Sequence, residues 1–182
     1  MIEVEAKVRS SDKHIDSIRK LAGKIGKYRG KTKKIDDYYT LEDLREYPKK
    51  SLRVRKSNGY YVVNFKQSLS YEKGVHAKKE VEFKVSDLKG FFELIDDFGF
   101  KKWLRKEKVT ELYEINKYFH IELNNVKNLG WFIEVEYLAK PGEVKSARKK
   151  VVSVLKNLGV SDKDIIKDGY TKMLWNEGFV EK

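Results

Sequence analysis

The regular alternation of charged and apolar residues constrains the fold of this chain more than any other feature. In the opening stretch MIEVEAKVRS, Glu3, Glu5 and Lys7 share one side of the alternation, and the other side is apolar. Side chains of a strand point alternately to its two faces, so such a stretch predicts a strand with one charged and one apolar face. The split recurs in five more segments, whose charged or polar sides are Arg53/Arg55, Asn64/Lys66, Glu80/Glu82/Lys84, His120/Glu122/Asn124 and Glu134/Glu136.

Three segments show the helical period instead. Their apolar stripes run from Ile15 to Ile25, from Leu88 to Phe98 and from Val144 to Leu158, which predicts three amphipathic helices. Asn58-Gly59 is a strong signal for a tight hairpin turn between two of the strands. The strands are connected by hairpins rather than by long crossovers. This predicts an α+β protein that is built on an antiparallel sheet or barrel. No repeat or linker divides the 182 residues, so we expect one domain over residues 1–182.

The direction of the charged faces decides between two architectures. Either the apolar faces fill a barrel and the charges are solvated, or the apolar faces point outward and are covered by helices. Three amphipathic helices must each bury a stripe, and a barrel filled with its own apolar side chains offers them no apolar outer surface. We therefore expect the charged faces to point inward, where charges must be paired, hydrated or bound to a ligand. Internal ion pairing without any ligand remains the alternative.

A lining of this kind has a specific chemistry. Carboxylates two residues apart on neighbouring strands can supply the oxygen ligands that Mg²⁺ and Mn²⁺ prefer. Arginine and lysine side chains from other strands can hold phosphate oxygens, and arginine does so with a bidentate fork. One cavity with both sets would suit a metal-bound polyphosphate.

Net charge and cysteine content limit the partners and the compartment. The charge of +12 predicts attraction to polyanions, but no basic tail or known nucleic-acid module accompanies it, so nucleic acid is not the expected partner. The chain has no cysteine, which excludes disulfides and thiolate metal sites and fits a reducing cytoplasm. No apolar run approaches the roughly 20 residues that span a bilayer, and no signal-peptide pattern opens the chain. We expect a soluble cytoplasmic protein without a membrane partner.

A set of motifs, in order along almost the whole chain, resembles the CYTH superfamily of class IV adenylyl cyclases and thiamine triphosphatases, also called triphosphate tunnel metalloenzymes. The opening stretch resembles its ExExK signature. DDYYT, LRVR, the lysine of NFKQ, KKEVEF, LGWFIEVE and the Gly-Tyr pair before the C-terminal helix follow. The resemblance implies a closed eight-stranded antiparallel β-barrel with helices packed outside, whose tunnel binds a triphosphate with Mg²⁺ or Mn²⁺.

The resemblance also implies roles for individual residues. The residues similar to the metal-binding carboxylates are Glu3, Glu5, Glu134 and Glu136, with Glu80, Glu82, Glu122 and Asn124 as supporting residues. Those similar to the phosphate-holding cations are Lys7, Arg53, Arg55, Lys66 and Lys108, and Lys172 of the last helix is a further candidate. Tyr38 and Lys66 are the candidates for positioning or activating a water.

Two positions depart from the family pattern. Thr110 stands where the family usually has an arginine, and Asn124 stands where it often has an acid. Lys108 fits the family's lysine on the same strand, while a shifted alignment would use Arg105 or Lys106 instead.

Hydrolysis and cyclisation both fit such a lining. No His-Phe pair, as in class IV cyclases, precedes ExExK, and Ser51 stands where mammalian thiamine triphosphatases have tryptophan. We therefore expect a metal-dependent hydrolase of inorganic tripolyphosphate or an organic triphosphate. The alternatives are an adenylyl cyclase that forms cyclic AMP from ATP, or a non-catalytic polyphosphate- or nucleotide-binding module. The expected partner is a small-molecule triphosphate, and a homodimer remains possible.

Overall fold

Eight antiparallel strands form a closed barrel. The computed structural model describes residues 1–57, 60–72 and 75–181, without the side chains of residues 57, 66–69, 71, 72, 78 and 162. The predicted turn at Asn58-Gly59 lies outside the described residues. The predicted α+β fold, a closed eight-stranded antiparallel barrel with helices packed outside, is confirmed.

The strands are β1 (Ile2–Arg9), β2 (Lys27–Thr40), β3 (Leu52–Ser57), β4 (Tyr60–Glu72), β5 (Val75–Val85), β6 (Lys101–Asn116), β7 (Phe119–Val126) and β8 (Gly130–Ala139). Around the barrel they are hydrogen-bonded in the order β1-β5-β4-β3-β2-β6-β7-β8. The helices are α1 (Asp12–Ile25), α2 (Leu88–Asp97), α3 (Val144–Asn157) and α4 (Tyr170–Asn176), with a short 3-10 helix at Asp162–Asp164. Among the described residues, no helix has both the length and the apolar character that a membrane span requires.

The chain divides into two compact units. Unit 1 consists of residues 1–33, 66–80 and 108–167, and unit 2 consists of residues 34–65, 81–107 and 168–182. The prediction of a single domain over the whole chain stays a prediction.

In unit 1, helices cover the apolar faces of the strands. Val4 and Ala6 of β1 and Val135 of β8 are fully buried, in one core with Ile18 of α1 and Val151 of α3. This arrangement is the reason for the amphipathic stripes, because each helix buries its apolar side on the outer face of the sheet. The charged faces of the same strands are therefore directed away from the helices, as predicted.

Strand register then sets which charged residues are neighbours in unit 1. In the β1–β8 pair, Glu5 lies opposite Glu136 and Lys7 lies opposite Glu134. In the β7–β8 pair, Glu122 lies opposite Glu134. Residues directly opposite each other in antiparallel strands share a face and lie close together. The register thus groups acids and lysines from β1, β7 and β8 on one face.

Unit 2 contains the second half of β2, with β3 and part of β4. Asp36 lies opposite Arg55, Tyr38 lies opposite Arg53, and Arg53 in turn lies opposite Asn64 of β4. Beside them is a cluster of aromatic rings. The centre of the Trp103 ring lies 5.7 Å from that of the Tyr47 ring and 5.9 Å from that of the Trp175 ring. Unit 2 therefore places a second charged row next to an aromatic core.

Candidate functional site

Three carboxylates of unit 1 converge on one point. Glu3 and Glu5 of β1 and Glu136 of β8 each place one oxygen within 4.8 Å of the others. Glu3 and Glu5 are only 3 % and 4 % exposed. Carboxylate oxygens are the ligands that hard divalent cations such as Mg²⁺ and Mn²⁺ take in proteins. The donor set therefore fits a divalent cation, and it contains three of the four residues assigned to metal from the sequence.

Lys7 lies beside these carboxylates and is itself buried. Its Nζ is 3.2 Å from the Glu5 carboxylate and 3.8 Å from that of Glu134. A buried ammonium is tolerable only when it is paired with opposite charge. Lys7 thus offsets part of the repulsion among the acids and remains a cation that can also meet an anionic ligand.

Glu134 belongs to a neighbouring network rather than to the carboxylate group of Glu3, Glu5 and Glu136. The amide nitrogen of Asn124 donates to Glu134 at 3.1 Å and to Glu122 at 3.2 Å. Lys108 donates to Glu122 at 2.9 Å. Glu122 and Asn124 therefore hold Glu134 and Lys108 in fixed positions, and their supporting role stays a prediction.

The two departures from the family pattern are direct neighbours in the structure. Thr110 and Asn124 lie opposite each other on β6 and β7, and the Thr110 hydroxyl donates to the Asn124 amide oxygen at 2.7 Å. Both residues are fully or almost fully buried. One cation and one acid are thus replaced together by a neutral pair, so the exchange leaves no unpaired charge in the lining.

The Thr110→Val substitution tests this pair. Valine keeps the shape but leaves the buried Asn124 oxygen without its donor, which is expected to cost about 1–3 kcal/mol of unfolding free energy. The measurement is chemical denaturation, with Thr32→Val at an exposed position of β2 as the matched control, expected within about 0.5 kcal/mol of wild type. Equal effects at the two positions would contradict the assignment.

Unit 2 holds a separate buried ion cluster around Asp36. Arg55 donates two hydrogen bonds to the Asp36 carboxylate, at 2.6 and 2.9 Å, and the Lys106 ammonium lies 3.0 Å from it. Burial alone would raise the pKa of Asp36, but Lys106, Arg55 and Arg53 hold this pKa well below its usual range. Asp36 is therefore an anion in the folded protein, and it fixes the position of Arg55.

Lys106 also contacts Tyr38. Its ammonium donates to the Tyr38 hydroxyl at 2.8 Å and lies 5.7 Å from the centre of the Tyr170 ring. The sequence assigned the partner of Tyr38 to Lys66, whose side chain lies outside the described residues. The sequence offers Lys106 only through an alternative alignment of the family lysine, and Asp36 only as part of the DDYYT motif. The alternation that places Asp36 on the same face of β2 as Tyr38 is the sequence signal that identifies Asp36.

Four more of the predicted site residues lie on β3, α4 and β5. Arg53 is mostly buried and lies 3.8 Å from the carboxylate of Glu82, whose side chain is 52 % exposed. Lys172 of α4 is half-buried, with its ammonium 4.5 Å from the centre of the Tyr47 ring. Glu80 is half-buried on β5. These residues remain predicted members of the site.

These observations define the class of the protein: a closed antiparallel β-barrel with buried carboxylates and lysines on the charged faces of its strands. The CYTH domain model matches residues 1–170. The chain therefore belongs to the CYTH family. No curated protein matches it.

Solved structures agree with this membership. The PH1819 protein from Pyrococcus horikoshii OT3 is 29 % identical, with a TM-score of 0.80 over 96 % of this chain and 99 % of that one. An adenylate cyclase candidate from Vibrio parahaemolyticus is 17 % identical, with a TM-score of 0.76 over 96 % and 98 %. HpAC1 from Hippeastrum, an adenylyl cyclase candidate with a dominant triphosphatase activity, is 17 % identical, with a TM-score of 0.63 over 97 % and 95 %. At 17 % identity the similarity shows the fold.

Proposed function

We propose that this protein is a divalent-metal-dependent hydrolase of triphosphates, acting on inorganic tripolyphosphate or on a small organic triphosphate. The convergence of Glu3, Glu5 and Glu136 within 4.8 Å, with Lys7 beside them, is the observation that carries the proposal.

Glu3, Glu5 and Glu136 are proposed to hold Mg²⁺ or Mn²⁺. A divalent cation bound there supplies positive charge that neutralises phosphate oxygens and favours attack on phosphorus. Glu134 is assigned a supporting role, because its carboxylate already accepts from Asn124 and lies near Lys7. Lys7 is proposed to donate to the phosphate chain.

The cations of unit 2 are assigned to phosphate binding. Arg53 and Lys172 are proposed to contact the phosphates, and Arg55 is held at two points by Asp36. Arginine suits this role through its planar set of donors. In hydrolysis of tripolyphosphate, one water attacks the terminal phosphorus, the bridging P–O bond breaks, and phosphate and diphosphate result.

Tyr38 and Lys106 are proposed to orient the attacking water. Lys106 donates to the Tyr38 hydroxyl, so this oxygen accepts a hydrogen bond from the ammonium and its own O–H is directed to a different group. A hydroxyl held in this way can position a water or pass on its proton. The dominant triphosphatase activity of the Hippeastrum protein supports hydrolysis, and the Vibrio protein keeps cyclisation as the competing reaction.

Product analysis tests the proposal. The purified protein is incubated with Mg²⁺ or Mn²⁺ and with tripolyphosphate, ATP or thiamine triphosphate in parallel. Release of phosphate without cyclic AMP supports hydrolysis. Formation of cyclic AMP and diphosphate from ATP would replace it with cyclase activity, and tight calorimetric binding without turnover under either metal would indicate a binding module.

The Tyr38→Phe and Lys106→Met substitutions test the role of the pair. Each is expected to lower kcat for tripolyphosphate by about 10²–10⁴-fold with a smaller change in KM, as for loss of a proton-transfer group. The double variant should lose little more than either single variant, because the two residues act as a unit. Tyr39→Phe, on the opposite face of β2, is the matched control and should retain full activity. Independent, multiplying losses would refute the pairing.

A further inference from the structure

Helix α2 buries less of its apolar stripe than α1 and α3 bury of theirs. Ile95 of α2 is buried, whereas Leu88, Phe91 and Phe92 of the same stripe are only half-buried. By comparison, α1 buries three side chains and α3 buries four. An amphipathic helix is normally held by the burial of its apolar side. Packing on the sheet therefore leaves part of the stripe of α2 without cover.

A cavity of about 460 Å³ adjoins this uncovered part of the stripe. Its lining joins Phe92 of α2 to Tyr39 of β2 and to Phe100, which follows the helix. The centres of the Tyr39 and Phe92 rings are 5.7 Å apart, and the ring planes are tilted by 41°. All three residues belong to unit 2. The volume lies within the range of small-molecule sites, about 300–1,000 Å³, so the lining defines an aromatic cavity large enough for a ligand.

Two carboxylates of α2, Glu93 and Asp96, also line this cavity. They are three residues apart, so they lie next to each other on one side of the helix. Lys89 is in the lining too, with its ammonium 3.7 Å from the Glu93 carboxylate. Within the part of the chain that the structure describes, the Asp96 carboxylate has no ion pair within 4.0 Å and no side-chain hydrogen bond. Two acids against one lysine make the lining negative in a protein whose net charge is +12.

The position of Asp96 is unfavourable for the stability of α2. Asp96 and Asp97 lie in the last turn of the helix, and none of the described residues of that turn is basic. The C-terminal end of a helix carries a partial negative charge, so acids are disfavoured there and cations are favoured. A cation bound beside Asp96 would be attracted both by the carboxylate and by the helix end.

The lining as a whole fits a small organic cation. A cation is attracted to the face of an aromatic ring within about 6 Å, and Tyr39, Phe92 and Phe100 supply rings in the same cavity as Asp96. A hydrated metal ion would gain nothing from these rings, and an anion would be repelled by the carboxylates. A primary ammonium has N–H groups that can donate to Asp96, whereas a quaternary ammonium has none. The chemistry therefore favours a primary amine with an apolar body.

We propose that this cavity binds a small primary amine, with the ammonium on Asp96 and the apolar body against the rings of Tyr39 and Phe92. It is called the amine cavity below, and its lining is Tyr39, Lys89, Phe92, Glu93, Ile95, Asp96 and Phe100. The amine cavity uses none of the residues assigned to metal or phosphate, so the inference does not rest on the proposed hydrolysis.

Titration of the ¹⁵N-labelled full chain with 2-phenylethylammonium, followed in ¹H–¹⁵N NMR spectra, tests the proposal. This probe has a primary ammonium and an aromatic body, and 2-phenylethanol is its neutral counterpart of similar shape. A Kd of about 10⁻⁴–10⁻³ M is expected for a probe of this size. The amide signals that shift should be those of residues 88–100 and of the residues next to Tyr39. The alcohol should bind at least about tenfold more weakly, because it brings no charge to Asp96.

Charge variants of α2 test the electrostatic part. Asp96→Asn should weaken amine binding at least about tenfold, as for loss of a hydrogen bond to a charged group. Asp97→Asn removes the same charge at the next residue, outside the lining of the amine cavity, and should stay within about twofold of wild type. Lys89→Gln should strengthen binding about two- to threefold, because it removes the cation that competes for Glu93.

Ring and stability measurements separate ligand binding from a structural role. Phe92→Leu keeps an apolar side chain without a ring and should weaken binding about threefold or more. Phe98→Leu is the matched control, since Phe98 is 70 % exposed and lies outside the lining. Without amine, Asp96→Asn should have a Tm no lower than that of wild type, because the helix end disfavours the acid.

The inference would be overturned by any of three results: no shift of the α2 signals at about 20 mM amine, equal affinity for the amine and the alcohol, or equal losses in Asp96→Asn and Asp97→Asn. Hydrolysis of tripolyphosphate by Asp96→Asn is measured in parallel and should be unchanged. The proposed hydrolysis and the amine cavity can therefore fail separately.

Discussion

Replacing Glu5 by Gln is expected to weaken Mn²⁺ binding at least about 100-fold, since loss of a residue that merely orients a metal ligand already costs 10–100-fold. The amide removes one anionic ligand from the group formed with Glu3 and Glu136. Lys7 keeps Glu134 as an anionic neighbour at 3.8 Å, so the variant should fold. Titration of Mn²⁺ followed by electron paramagnetic resonance gives the affinity directly.

Glu111→Gln is the matched control for this experiment. Glu111 is also a buried acid of unit 1, but it accepts two hydrogen bonds from Arg19 of α1, at 2.8 Å each. Its loss should lower stability while leaving the Mn²⁺ affinity within about twofold of wild type. Unchanged Mn²⁺ binding in Glu5→Gln, or equal weakening in both variants, would refute the assignment of the metal site.

Asp36→Asn is expected to cost about 3–5 kcal/mol of unfolding free energy at neutral pH, the range for breaking a buried ion pair from one side. The substitution leaves the buried Lys106 ammonium and the Arg55 guanidinium without their shared carboxylate. Urea denaturation measures the loss. Asp37→Asn is the control on the opposite face of the same strand, where Arg105 and Lys102 are partly exposed, so its cost should stay below about 1 kcal/mol.

The difference between wild type and Asp36→Asn should also depend on pH. Because the folded-state pKa of Asp36 is lowered, its stabilising effect is complete above the ordinary carboxyl pKa, declines below that value, and is lost only as the pH falls through the folded-state pKa. The two proteins should therefore differ fully at pH 6, and the difference should start to shrink below about pH 4, the unfolded-state value, and keep shrinking as the pH falls further. A constant difference across this range would mean that the charge of Asp36 does not stabilise the fold.

The fold could be predicted because its determinants are local. The alternation in IEVEAKVR and the apolar stripes of α1 and α3 are properties of short segments. The strand can bury its apolar face only against the helices, and the helices can bury their stripes only against the strand. Val4 of β1 and Val151 of α3 meet in the core for this reason. The inward direction of the charged faces followed from the same requirement.

The site could be predicted only in part, because register is a property of strand pairs. Glu134 and Glu136 are equivalent by alternation, but the pairing of β1 with β8 places Glu136 opposite Glu5 and Glu134 opposite Lys7. The sequence therefore could not separate the carboxylate that joins Glu3 and Glu5 from the one that contacts Lys7.

Contacts between residues distant in sequence were missed for a related reason. Lys106 is 68 residues from Tyr38, and their hydrogen bond is set by tertiary packing. In the sequence, Thr110 and Asn124 are two separate departures from the family pattern, and only the pairing of β6 with β7 shows that they form one neutral pair. Antiparallel neighbours of this kind become visible once the register is known.

A crystal grown with Mn²⁺ and tripolyphosphate, with anomalous data recorded for manganese, tests the central claim most directly. The account predicts a manganese peak coordinated by carboxylate oxygens of Glu3, Glu5 and Glu136, with the phosphate chain in contact with Lys7. A fully occupied tripolyphosphate on the protein exterior, with no manganese peak at these three carboxylates, would contradict it.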